Sequence, residues 1–337
     1  MSDNDQRNSS LAASTVKVAI IGAGPMARHH ARAFASIAGV ELVGLLSRTR
    51  SKALKLAHDF EIPAIYDTVG ELHEKTSADI VVVAVSVLAI PSVTEECMQY
   101  PWLILAEKPI GLSTEESERV ARVVQAKGAR VHVALNRRHY SSTLEAERLL
   151  EQQSGPRFTH VMDQQDMQAA QKRGHPREVI ERFMYANSIH LIDYFTIFCR
   201  GAISAIDVVQ PWTPRDPSIV IASLQFDSGD IGLYQGVWNG PGPWGVSINQ
   251  GELRVDLQPL EALSYQVRGS RERTAFERSA DDQAYKPGLR KQALQCVALA
   301  REEEVSPTVP TIEEGLLTMR LIQQIYDCSN HDFGRNP

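Results

Sequence analysis

The stretch from Val16 to Arg32, VKVAIIGAGPMARHHAR, constrains the fold more than any other part of the chain. Val16 to Ile21 is an unbroken apolar, largely β-branched run, short enough for a strand covered on both faces. It stops at Gly22-Ala23-Gly24-Pro25-Met26-Ala27, which reads as a tight turn opening a helix. Gly22 permits the turn, Gly24 lets backbone approach a pyrophosphate, and Ala27 is small enough for close packing of helix on strand. Pro25 suits the first helical turn, where a missing N–H costs nothing. The free N–H groups of that turn, Met26 among them, and the positive end of the helix dipole make a phosphate site. Strand, glycine turn and helix in that order predict a dinucleotide-binding unit, with Gly22, Gly24, Pro25, Met26 and Ala27 at its phosphate end.

A chain of 337 residues has room for about two domains. Up to residue 135, further short apolar runs at 41–47, 64–66, 80–85, 103–106 and 131–135 alternate with helical patterns. The clearest helix is 113–127, where Ser113 and Glu116 form a capping box and Gly128 ends the pattern. Such alternation predicts a doubly wound parallel sheet whose ligand lies beyond the carboxyl ends of its strands. A helix at 143–152 then leads to β-like segments at 158–162, 205–209, 220–226, 231–237, 245–249, 253–257 and 264–267, several alternating as half-buried antiparallel strands do. Helices at 287–303 and 311–328 close the chain. The expected division is a disordered tail over 1–15, a Rossmann domain over 16–136 and an α/β domain for substrate binding and oligomerisation over 137–330. The last helix of that second domain is able to return to the first.

Composition removes several classes of function. The formal charge is −6 and the basic residues are scattered, so neither nucleic acid nor an anionic membrane is an expected partner. No run approaches the roughly 18 uncharged apolar residues of a transmembrane helix. The four cysteines, Cys97, Cys199, Cys296 and Cys328, form no C-x-x-C pair, so no metal site is expected and reduced, cytoplasmic thiols are.

The end of the second strand bears on cofactor choice. An NAD site places an acidic residue on the ribose about 20 residues past the glycines. Here the chain reads Leu46-Ser47-Arg48-Thr49-Arg50, without a carboxylate. Ser47 and Arg48 suit a 2′-phosphate instead, which favours NADP while leaving NAD possible. The alternative is that Arg48 and Arg50 are solvated loop residues.

Four features together resemble the Gfo/Idh/MocA oxidoreductases: the glycine turn, the fifth strand running into Ala106-Glu107-Lys108-Pro109, Asn136-Arg137-Arg138 after the sixth strand, and Ile189-His190-Leu191-Ile192-Asp193. The resemblance implies a second domain with a large open, mainly antiparallel sheet and an active site in the cleft between the domains. It implies that Lys108 lies beside nicotinamide and substrate, that His190 acts as general acid or base, and that Asp193 orients or tunes the histidine. Val85, Ser86, Glu107 and Lys108 join Ser47 and Arg48 as cofactor candidates; Arg137, His139, Tyr140, Tyr185 and Asn187 are the substrate candidates. The chain departs from the family pattern at two places. Many members carry Asp or Asn four residues before the histidine and Gly two before it, where this chain has Ala186 and Ser188 with Asn187 between. The usual Thr-Pro-Asn and following His after the fourth strand become Val85-Ser86-Val87 and Ile90. Backbone can replace those cofactor contacts, so the departures bear more on catalysis than on binding, and His190 is expected to contribute less than Lys108.

The chemistry is coherent on the residues alone. Hydride transfer from an alcohol carbon leaves a hydroxyl proton, which a histidine or a lysine lowered by burial can take near neutral pH. Residues 164–182 read as a polar loop with Lys172, Arg173, His175, Arg177 and Arg182, either solvated or closing on an anionic or hydroxylated substrate. Residues 238–244, WNGPGPW, read either as a stacking wall or as a tight connection with packed tryptophans. The resulting expectation is an NAD(P)-dependent oxidoreductase, NADP preferred, acting on a hydroxyl or carbonyl group of a sugar-like or cyclic polyol substrate. Three alternatives stay open: a reductase of a non-carbohydrate C=O or C=N bond, a cofactor-binding regulatory protein without turnover, and a cofactor-assisted lyase or hydrolase. The apolar rows at 220–226 and 231–237 predict a homo-oligomer, dimer or tetramer, joined through the open sheet.

Overall fold

In the computed structural model, residues 15–213, 217–304, 306 and 309–326 are described. The tail expected over 1–15 lies outside them except for Thr15. The first half alternates strand and helix: β1 (Val16–Ile21), α1 (Pro25–Ala35), β2 (Val40–Leu46), α2 (Arg50–Asp59), β3 (Ile65–Tyr66), α3 (Val69–Thr76), β4 (Ile80–Val83), α4 (Ile90–Cys97), β5 (Leu103–Ala106), α5 (Thr114–Lys127) and β6 (Arg130–Val133). The six strands pair in parallel in the order β3-β2-β1-β4-β5-β6. The order reverses between β1 and β4, so their carboxyl ends open a crevice at the switch point. β4 and β5 are buried at every position, as their unbroken apolar runs require. β4 ends at Val83, two residues short of the apolar run, which releases Val85 and Ser86 into the loop at the crevice. In α5 the Ser113 hydroxyl accepts from the Glu116 N–H at 3.1 Å and Gly128 turns left-handed, while the Glu116 carboxylate reaches the Leu112 N–H at 2.8 Å rather than the cap's own.

α6 (Ser141–Glu151) leads into β7 (Arg157–Gln165), α7 (Met167–Lys172) and α8 (Arg177–Glu181), then a π-helical turn at Met184–Ser188 that runs into α9 (Ile189–Phe198). There follow β8 (Ile203–Gln210), β9 (Ile219–Phe226), β10 (Ile231–Trp238), β11 (Gly245–Gln250), β12 (Leu253–Leu257), β13 (Leu263–Val267), β14 (Thr274–Ala275), α10 (Ala280–Ala284), α11 (Leu289–Ala300) and α12 (Ile312–Tyr326). The second sheet has the order β14-β13-β12-β11-β7-β10-β9-β8 and is antiparallel except where β7 meets β10. α6 and α9 cover one face. On the other, Phe158, Ile219 and Ile231 are 40%, 45% and 48% exposed.

Residues 164–182 are not the loop that their polarity implied. Gln164 and Gln165 finish β7, the Asp166 side chain caps α7 by accepting from the Ala169 N–H, and α8 follows. Lys172, Arg173, His175, Arg177 and Arg182 are all exposed, the solvated alternative. The last two helices return to the first sheet: α11 packs on α1, and α12 packs on α5 and α9. The Val133 N–H donates to the Pro310 carbonyl at 2.8 Å, and the Thr114 hydroxyl to the Met319 carbonyl at 3.2 Å. Cys97, Cys199 and Cys296 are buried and free; Cys328 lies outside the described residues. Among the described residues no helix is long and apolar enough to cross a membrane, and no cluster of His, Cys, Asp and Glu could hold a metal.

Candidate active site

Gly22 has φ +118°, and a Cβ there would lie 2.1 Å from the Ala84 carbonyl oxygen, so the turn after β1 touches the end of β4. A Cβ on Gly24 would meet nothing within 4 Å. Gly24 also caps α1 without a side-chain oxygen, which leaves the first N–H groups of that helix to a ligand. Beyond lies a groove of about 760 Å³ lined by Gly22, Gly24, Pro25, Met26, Ser47, Arg48, Val85 and Ser86. This cradle fits a dinucleotide, with the pyrophosphate over Gly24 and the α1 amino end. Ala27 does not line it; fully buried between α1 and the sheet, it serves packing. At the β2 end Arg48 is joined by Lys52, whose place in the first turn of α2 hid it in the sequence. Asp67 also lines this end, 4.0 Å from Arg50. Ile90 is 1% exposed and packs in the core.

Glu107 is not available to the cofactor. Its carboxylate lies 2.8 Å from His30 Nε2 with both side chains buried, which ties β5 to α1 beneath the groove. Sequence reasoning passed over His30, whose only signal was a histidine two turns into the glycine-turn helix.

Lys108 Nζ donates to the Ala186 carbonyl at 2.7 Å. The π-helical turn thus supplies backbone at the position where many relatives carry a polar side chain. Burial, opposed by Glu107 and aided by Arg137 and Lys286, pushes the Lys108 amine down to about 8. His190, on the first turn of α9, is 8% exposed, and its Nδ1 has no hydrogen-bond partner. Burial first, then Arg137, Lys108 and Lys286, hold its imidazole well below the usual range, so it is neutral at pH 7.

Asp193 does not orient that imidazole. Its carboxylate takes Arg138 Nε at 2.8 Å and Nη2 at 2.7 Å, and the Thr318 hydroxyl at 2.8 Å. α9 is buried nearly all round, and the guanidinium beside it is a stronger partner for a buried carboxylate than a neutral imidazole.

The substrate candidates separate. Arg137 stacks on Trp244 with its guanidinium carbon 4.9 Å from the ring centroid, while Trp244 Nε1 donates to the Gln164 carbonyl at 2.7 Å. Asn187 is half-buried and donates to Gln165 Oε1 at 2.8 Å, and Tyr185 is buried in the π-helical turn. His139 is withdrawn into the core: 1% exposed, neither ring nitrogen hydrogen-bonded, pushed down to about 3 by burial and then by Arg138. Tyr140 is 3% exposed and packs against the backbone of Gly288. Of the two tryptophans in 238–244, Trp238 is buried and donates to the Tyr326 hydroxyl at 3.2 Å, so only Trp244 reaches the site. Lys286, one residue before the helix expected at 287–303, stands in the loop before α11, and its charge reaches both Lys108 and His190.

Residues 16–135 match the oxidoreductase family with the NAD-binding Rossmann fold, Gfo/Idh/MocA. The match covers the nucleotide-binding domain and stops at residue 135. A curated relative from Sphingobium sp., 4-carboxy-2-hydroxymuconate-6-semialdehyde dehydrogenase, is 24% identical over 68% of this chain and 75% of its own. A dehydrogenase from Chromobacterium violaceum superposes with a TM-score of 0.79 at 17% identity, over 94% of this chain and 95% of that one. UDP-N-acetylglucosamine 3-dehydrogenase from Acidithiobacillus ferrooxidans gives 0.73 at 17%, over 92% and 96%. The fold of the chain is therefore shared along nearly its whole length.

Proposed function

We propose that the chain is an NADP-preferring oxidoreductase that moves a hydride between the nicotinamide ring and a hydroxyl or carbonyl carbon of a sugar-like or cyclic polyol substrate. The observation that carries the cofactor choice is the end of β2, where Ser47, Arg48 and Lys52 line the groove at the adenosine end. Arg48 can meet a 2′-phosphate with two parallel hydrogen bonds, and Lys52 adds a point charge. Gly22, Gly24 and the amino end of α1 would hold the pyrophosphate. When bound, the cofactor would supply the hydride donor or acceptor.

The proton chemistry falls to Lys108. An amine held near 8 is populated in both forms around neutral pH, so it can take the proton from a reacting hydroxyl or return it to a carbonyl oxygen. His190, kept neutral, offers that oxygen a hydrogen bond and serves as a weaker base. Arg137 and Trp244 form a wall, the indole giving a sugar face something to stack on. The names of the relatives, a semialdehyde dehydrogenase and a nucleotide-sugar dehydrogenase, support this class of chemistry.

The test is calorimetry. Wild type is expected to bind NADPH more tightly than NADH. Arg48→Ala removes a charged contact worth about 1.5–3 kcal/mol, which weakens NADPH roughly ten-fold or more and spares NADH. Tighter binding of NADH by the wild type would refute the preference.

A further inference from the structure

We infer that the substrate carries an acid group, a carboxylate or a phosphate, held by Arg137 and Lys286 beside Lys108. The inference rests on reading the residues around Lys108 and His190 as the active site. Arg137 and Arg138 are adjacent but differently treated. Arg138 is paired with Asp193 and Thr196, whereas Arg137 makes no ion pair among the described residues and its Nε is buried without an acceptor. A guanidinium laid on a pinned indole is a fork fixed in place that no carboxylate of the described residues occupies.

Lys286 is held to the same spot by backbone. The Asn136 side chain donates to the Pro287 carbonyl at 2.9 Å, and the Gly288 N–H donates to Asp282 Oδ1 at 2.8 Å. Gly288 has φ +76°, and a Cβ there would sit 2.1 Å from the Asn136 carbonyl oxygen. The loop bearing Lys286 is therefore pressed against the residue that precedes Arg137, and Lys286 has no ion-pair partner among the described residues. The nearby carboxylates are already engaged: Glu107 by His30, Asp193 by Arg138 and Thr318, and Asp282 by the N–H groups of Ser141 and Gly288.

Three cations thus act on a neutral imidazole, and Glu107, the carboxylate that reaches Lys108, is turned to His30. Lysine and arginine only donate. A neutral polyol needs acceptors for its own O–H groups as well as donors, whereas an acid group needs donors alone. The charge and the donor set both match an anion.

The test is titration of the NADP⁺-loaded protein with malonate, malonamide and inorganic phosphate, followed by calorimetry and tryptophan fluorescence. Malonate or phosphate is expected to bind saturably and malonamide not at all. The tighter of the two anions assigns the acid group as carboxylate or phosphate. Arg137→Gln and Lys286→Gln should each weaken anion binding at least ten-fold while NADP⁺ is still bound. Lys286 is exposed, so its variant folds and reads out the clamp even if Arg137→Gln does not. No saturable binding of either anion, or binding that Lys286→Gln leaves unchanged, overturns the proposal. A parallel turnover screen with glucuronate and glucose, and with galactonate and galactitol, separates this inference from the oxidoreductase reading. Turnover of neutral members only, unaffected by Lys286→Gln, overturns the clamp and leaves that reading standing. Anion binding lost in Lys286→Gln, with no member oxidised or reduced, supports the clamp and counts against the oxidoreductase reading.

Discussion

Asp193→Asn separates a catalytic role for this carboxylate from a structural one. The wild-type side chain is 2% exposed and receives two hydrogen bonds from Arg138, at 2.8 and 2.7 Å, and one from Thr318 at 2.8 Å. A charged hydrogen bond contributes about 1.5–3 kcal/mol. Asparagine keeps one acceptor oxygen, turns an NH₂ toward the second guanidinium donor, and leaves an arginine that is only 15% exposed with Glu314, at 3.6 Å and itself 44% exposed, as its remaining counter-ion. Breaking a buried pair in this way costs about 3–5 kcal/mol. At roughly 2–4 °C per kcal/mol for a cooperative unit of about 150–250 residues, Tm should fall by on the order of 10 °C. Because Asp193 bonds Arg138 and not His190, kcat well below the transition should fall less than ten-fold, and the pH–rate profile should keep its midpoint. Scanning calorimetry and a pH–rate series on one preparation measure both. An unchanged Tm with kcat down a hundred-fold, or with a displaced pH midpoint, would refute the reasoning and return Asp193 to the imidazole.

Lys108 is charged below about 8 and neutral above it, so hydroxyl oxidation should rise with pH through that value and level off, while carbonyl reduction falls; Lys108→Met should flatten both limbs. Since the unfolded amine keeps its proton up to about 10.5, folding stability should gain with pH between about 8 and 10.5 from this residue, which urea titrations at several pH values can follow. Gly22→Ala places a methyl against the Ala84 carbonyl in a backbone conformation strained for alanine, so it should lower stability by about 1–3 kcal/mol and abolish NADPH binding by calorimetry. The exposed apolar residues of the second sheet predict a particle larger than 37.4 kDa in light scattering, reduced toward a single chain by Phe158→Glu with Ile231→Glu.

The first sheet was legible because a strand buried on both faces writes itself as a continuous apolar run, and β4 and β5 are buried throughout. The glycine turn was legible because only glycine tolerates the backbone found at Gly22. What stayed hidden is of two kinds. α7 and α8 span six and five residues, too short for a helical period to stand out from polar composition. The site's partnerships cross the chain: His30 meets Glu107 from 77 positions away, and Asp193 meets Thr318 from 125. Spacing along α9 put Asp193 on the side of His190, yet a buried carboxylate is claimed by the strongest donor from any element, and that was Arg138. His139 shows the converse, a polar residue in a polar-looking turn that the second half of the chain covers completely.

The return of α12 to the first sheet bears on how the protein is made. Ile312, Leu316, Met319, Leu321, Ile322 and Ile325 are buried, at about 1.5–3 kcal/mol each for such side chains, and α12 is packed on both α5 and α9. A nascent chain that has passed residue 135 already contains all six strands of the first sheet, yet it lacks the Pro310 carbonyl that the Val133 N–H needs and the helix that roofs α5. Neither half can seal its apolar surface until α12 has left the ribosome. Separately expressed 16–135 should therefore bind hydrophobic dyes and aggregate, and the time between synthesis of β6 and of α12 is the interval in which this chain most needs a chaperone.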